Sequence, residues 1–95
     1  MVDVRLERWI RSNYAGISAD AVIRTLAELA QQPDAFGRQM SERVLAAVAF
    51  AGRGDMDRFR YAADLVHIDW RDVLVLGGLA NESWPDDLER RLGQP

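Results

Sequence analysis

The chain contains no cysteine and no lysine. Without cysteine there are no disulfides, no thiolate metal sites and no thiol nucleophile, and nothing calls for an oxidising compartment. Without lysine there is neither a Schiff-base amine nor the lysine of a phosphate-binding loop. All twelve basic residues are arginine. No apolar run approaches the roughly 20 residues that a membrane-spanning helix needs. The longest, Val44 to Ala51, has eight residues, and the run Val73 to Leu76 goes straight into Gly77 and Gly78. The opening MVDVRLERWIR is charged and has no continuous apolar stretch, so it does not read as a signal peptide. We expect a soluble, cytoplasmic protein with no membrane association.

A strong field of one sign is also missing. Fifteen acidic residues against twelve arginines leave a net charge of −3. Residues 1–54 hold seven arginines and six acids, and residues 55–95 hold five and nine. Such a balance does not gather DNA or anionic lipid over the whole surface. Ninety-five residues fit one domain, which buries roughly 60–65% of its extended surface on folding and needs no staples.

What the sequence does have is helical periodicity. Val2, Leu6, Trp9 and Ile10 share one face of a first helix, with Glu7 and Arg11 an i,i+4 pair and Gly16 as its stop. Ser18 reads as the N-cap of a second helix, with Val22, Ile23, Leu26, Ala27, Leu29 and Ala30 buried and Pro33 beyond its end. Asp34 reads as the cap of a third, whose start can slip to Gly37 or Arg38. Phe36, Met40, Val44, Ala47, Val48 and Ala51 line one face of it, and the stretch VLAAVAFA marks it as the most buried helix. Gly52 and Gly54 close it. Asp55 caps a fourth helix with Met56, Phe59, Ala62, Ala63 and Val66 inward and Arg60 paired with Asp64 outside. Ser83 and Asp86 imitate a capping box before WPDDLERRL, where Asp86–Arg90 and Asp87–Arg91 are spaced as i,i+4 pairs.

The stretch DVLVLGGLA admits three readings. A nucleotide-binding turn needs G-x-G-x-x-G inside a unit of about 30 residues. Here the two glycines are adjacent and only seventeen residues follow Gly78. An isolated strand needs a partner for its backbone groups, and no other segment shows a period of two. The third reading is a short buried helix capped by Asp69, with Trp70, Val73, Leu74 and Leu76 facing protein. It ends either at Gly78 in the left-handed conformation, with Leu79 reaching back to Leu74, or at Asn81. The sequence LVHIDWRDVLVLGGLA resembles a segment of small helical proteins of bacteria, actinobacteria especially, that carry a DWRDVLV-like helix. The likeness covers roughly residues 59–84. It implies an all-helical fold, attaches no activity and carries over no functional residue.

Candidate chemistry is sparse. His67 is the only histidine, and Asp64 lies three residues before it. A protein zinc site needs at least three ligands, and this pair supplies two, so His67 reads as a helix C-terminal residue that suits the dipole. No serine, histidine and acid are arranged as a nucleophile with its base. Arg5, Arg8 and Arg11 form a stripe that could meet nucleic acid, although Asp3 and Glu7 interrupt it. Trp84 stands beside Pro85 at the head of the last helix. It either docks that helix or anchors a partner, where tryptophan is enriched. The sequence therefore predicts an all-α bundle of five or six short helices. Its expected role is a non-enzymatic protein–protein interaction module, without cofactor or metal, that binds a protein partner or its own copy. Partner-binding candidates are Trp84, Arg5, Arg8 and Arg11. The alternative is a nucleic-acid-binding regulator that uses the arginine stripe.

Overall fold

Short amphipathic stripes separated by capping residues can satisfy their backbones only as separate helices. The computed structural model describes residues 3–32 and 41–93. Among them are six α-helices and no strand: α1 (Val4–Asn13), α2 (Gly16–Ala30), α3 (Glu42–Gly52), α4 (Met56–Leu65), α5 (Trp70–Gly77) and α6 (Trp84–Leu92). The architecture is an all-α bundle, as the periodicity predicts.

Local chemistry accounts for most of the boundaries. Asp3 caps α1, Asp55 caps α4 and Asp69 caps α5, each accepting backbone N–H bonds from the first turn that follows. The α5 end resolves the alternatives left open by the two glycines. Gly78 adopts the left-handed conformation (φ 76°), and Leu79 N–H donates to Leu74 O at 2.8 Å, a helix stop that glycine makes at no steric cost.

Four expectations are corrected. First, α2 starts at Gly16, so Gly16 is not a stop and Ser18 is not a cap. Tyr14 and Ala15 are both extended and complete the reversal in two residues. Ala15 therefore occupies the cap position although it has no side-chain oxygen. Second, Leu76 does not face protein: it is 44% exposed, and Gly77 takes the inward position. Third, Arg60 meets Asp57 (3.9 Å) rather than Asp64, and Arg90 meets Asp87 (2.8 Å) rather than Asp86, both one turn back at i,i+3. Arg91 is drawn instead to Gly77 O (2.7 Å). Fourth, Ser83 Oγ bonds the side chains of Asn81 and Asp87 and caps no backbone amide. The predicted cap Asp34, together with Val2, Phe36, Gly37, Arg38 and Met40, lies outside the described residues. Within them α3 begins after Ser41, whose Oγ accepts from Val44 N–H.

The core is built around α3. Every residue from Val44 to Phe50 is buried. Helix α5 packs on it most extensively and α4 next. The close approach of α5 requires Gly77: a Cβ there would lie 2.5 Å from Ala47 O and 2.8 Å from Ala47 Cβ. Leu6, Ile10, Val22 and Leu26 of α1 and α2 fill the remainder of the core. Trp9 meets Phe50 edge to face at 4.6 Å, and Tyr14 meets Phe59 at 6.1 Å, geometries that suit the ring quadrupoles. Among the described residues no charged side chain is buried. The buried Tyr14 hydroxyl donates to Ala49 O at 2.7 Å, tying the end of α1 to α3.

Two predictions follow from this packing. Gly77→Ala should lower stability by about 1–3 kcal/mol through overpacking, although alanine is the better helix former. Gly16→Ala, where an added Cβ meets nothing within 4 Å, should be neutral or stabilising by up to ~1 kcal/mol. Calorimetric melting of both variants checks the contrast. Tyr14→Phe should cost about 1–3 kcal/mol at neutral pH by leaving a buried carbonyl without its donor. Burial pushes the Tyr14 hydroxyl up to about 12 from its ordinary value of 10.0. A raised value means that its contribution is whole below pH 10 and is lost as pH rises through about 12. The variant should accordingly lack that part of the alkaline loss of stability, as read by circular dichroism against pH.

Candidate functional site

Helix α3 closes on the turn Gly52–Arg53–Gly54–Asp55. Arg53 is its C-cap and adopts the left-handed conformation (φ 50°, ψ 36°), the only non-glycine residue described with positive φ. Gly54 follows at φ 88°, where a Cβ would sit 2.6 Å from Asn13 O. Asp55 N–H closes the turn on Gly52 O at 2.8 Å. This turn launches α4 so that Phe59, Ala62 and Val66 face the core. The opposite face of α4, with Asp57, Arg58 and Tyr61, is turned outward.

The outward face of α4, the end of α3 and the last turn of α5 enclose an open groove of about 440 Å³. Ala51, Tyr61 and Leu76 supply its apolar surface, and Arg53, Asp57 and Arg58 its polar edge. The volume lies within the roughly 300–1,000 Å³ of small-ligand clefts, but this space is open along the surface. Six large apolar side chains are exposed among the described residues: Val4 on α1, Ile17 on α2, and Tyr61 (62%), Ile68, Val75 and Leu76 (44%) on α4, α5 and their connection. Of these, Tyr61 and Leu76 line the groove. The groove can seat an apolar side chain against Tyr61 and Leu76 while placing guanidinium groups beside it. Among the described residues no three or more His, Asp or Glu side chains are grouped to hold a metal ion. Asp64, in the last turn of α4, and His67, just beyond it, are both exposed.

The residues nominated from sequence lie elsewhere. Arg5 is bonded to Glu89 of α6 at 2.6 Å, and Arg11 to Asp20 of α2 at 3.0 Å with Glu7 at 3.5 Å. Both pairs are exposed ties between helices, the class worth least in stability. Arg8 is exposed, with no ion-pair partner among the described residues. Burial works against the Asp3 carboxylate, yet hydrogen bonds from the Arg5 amide, Glu42 and the Leu6 amide hold it below its ordinary value. Glu42 beside it is pushed up by burial and by the bond and charge of Asp3.

Trp84 is half-buried and packs against the core. The Arg43 guanidinium lies 4.7 Å from its ring centroid. Arg43 Nε and Nη2 both donate to Leu79 O, at 2.9 and 2.7 Å. Arg91 lies 4.9 Å over the Phe50 ring while donating to Gly77 O. Two arginines thus satisfy carbonyls at the end of α5, where the helix dipole is negative. They spend their charge on the fold.

Sequence reasoning passed over Tyr61, Arg53 and Arg58 and assigned Leu76 to the core. A signal for each was present. Tyr61 is a large aromatic on the polar side of the Phe59–Ala62–Val66 stripe. Leu76 stands off the stripe made by Val73, Leu74 and Gly77. Arg53 is set between two glycines at a helix end, where glycine itself costs least. Arg53→Gly should therefore stabilise the fold by about 1 kcal/mol, by releasing a left-handed non-glycine residue, and urea unfolding of the variant measures it.

Comparison of the chain with protein-family models, with curated proteins and with solved structures finds no match.

Proposed function

We propose that this chain is a non-enzymatic interaction module that recognises a partner protein through the groove between α3, α4 and α5. The observation that carries the reading is the exposure of Tyr61 and Leu76 side by side on the groove wall. Exposed apolar side chains that line one groove mark an interaction surface, and tyrosine is among the residues that dominate binding energy. Neither Tyr61 nor Leu76 belongs to the buried core, so each leaves apolar surface available to a partner. Nucleic-acid contact through Arg5, Arg8 and Arg11 is the alternative. The pairing of Arg5 and Arg11 with carboxylates weighs against it, since those charges are already matched.

Affinity purification of the tagged chain from its own host tests the proposal. The wild type should retain a protein partner in stoichiometric amount. Leu76→Arg and Tyr61→Ala should each lose it while melting within ~0.5 kcal/mol of the wild type, as exposed substitutions do. A monomer that retains nothing, or a partner held equally by both variants, overturns the reading.

A further inference from the structure

The groove has a sign as well as an apolar wall. Three charged residues line it: Arg53, Asp57 and Arg58. The Asp57 carboxylate is shared with Arg60 at 3.9 Å. Neither Arg53 nor Arg58 has a carboxylate partner or an acceptor for its side chain among the described residues. The groove edge is thus net positive on a chain whose net charge is −3.

Arg53 adds a second observation. Its left-handed backbone carries a steric cost that glycine would avoid. No side-chain bond within the described fold offsets that cost, yet the side chain lines the groove. An outlier of this kind, unexplained by the fold, points to a role outside it.

We infer that the groove takes an acidic peptide segment of a partner protein, with one apolar side chain seated on Tyr61 and Leu76 and its flanking carboxylates paired with Arg53 and Arg58. This rests on the interaction-module reading above and specifies the partner's chemistry. Arginine suits the task because its planar fork donates two parallel hydrogen bonds to a carboxylate. A symmetric pair of copies is disfavoured as occupant: a two-fold contact apposes the same patch to itself, bringing two net-positive edges together where an acidic segment would complement one. A nucleic acid is disfavoured as well. Two cations beside an apolar wall neutralise too few phosphates for the counterion release that drives such binding.

The test is selection of a short random-peptide display library on the immobilised full chain. Three proteins are compared: wild type, the double charge reversal Arg53→Glu with Arg58→Glu, and Leu76→Ser. Each is first shown by circular dichroism and melting to be folded. Peptides selected on the wild type should carry an apolar residue flanked by Asp or Glu. Their affinity should fall at least about tenfold on the charge-reversed protein and weaken as salt rises. Leu76→Ser should also weaken them. Selected peptides without acidic flanks, lost on Leu76→Ser but held by the charge-reversed protein, overturn the acidic occupant and leave the binding face standing. Peptides indifferent to both variants overturn both readings. A concentration-dependent dimer that Leu76→Ser dissolves overturns the hetero-partner in favour of a second copy. A fluorescent single-stranded oligonucleotide that binds the wild type and is released by charge reversal overturns it in favour of nucleic acid.

Discussion

The contact between Gly77 and Ala47 sets the distance between α5 and α3, and the rest of the bundle is arranged around it. Because Gly77 has no Cβ, the α5 backbone comes down onto the α3 backbone. Side chains flanking the contact, Val73 and Leu74 on one helix and Val44 to Phe50 on the other, are then all buried, with no charged side chain among them. The buried residues of α3 are chiefly small, so the helix can be surrounded: α5 and α4 take the larger share of its surface and α2 part of the remainder. A rigid α3–α5 contact also fixes where the last turn of α5 projects, and so where Leu76 stands relative to Tyr61.

Arginine plays two opposite roles. Arg43 and Arg91 are consumed by the structure, since each is bonded to a carbonyl at or beyond the end of α5 and lies over an aromatic ring. Lysine could not fill these places, because a point-charge ammonium lacks the flat, forked donor set that serves a carbonyl and a ring together. Arg53 and Arg58 make no such bonds within the described fold and are held toward the groove. The division shows that guanidinium count says little about function in this chain. What matters is which guanidinium groups remain after the carbonyls and carboxylates of the fold are satisfied.

Much of the fold was legible because its signals are local. The Asp55 and Asp69 caps, the Gly78 stop and the stripes of α1, α2 and α4 depend on residues within a turn or two of each other. The misreadings arise where tertiary geometry decides. Ser18 has the chemistry of a cap, but the reversal at Tyr14 and Ala15 is complete before the chain reaches it. In the run Val73 to Leu76 four apolar residues cover nearly every direction around an eight-residue helix. Composition therefore cannot say which are inside, and the glycine that fits against Ala47 selects the face. Arg91 stands at the right spacing for Asp87 but finds a dipole end and a ring that lie fourteen residues back and further. The groove was the least legible feature, because it is formed by three elements, each contributing only one to three residues.

The way α6 is fastened has a consequence for the conformational ensemble. Leu88 is its one buried residue, with Trp84 and Leu92 half-covered. The remaining ties are polar: Glu89 to Arg5, Arg91 to the end of α5, and Arg43 over Trp84. Such a helix opens at a lower free energy than the buried centre and forms a sub-global unit of its own. The helix expected to open first is therefore the C-terminal one, while the buried centre, to which α1 to α5 all contribute, stays closed. No residue of α6 lines the groove, so its opening would reach recognition only through the Arg91 bond to the end of α5.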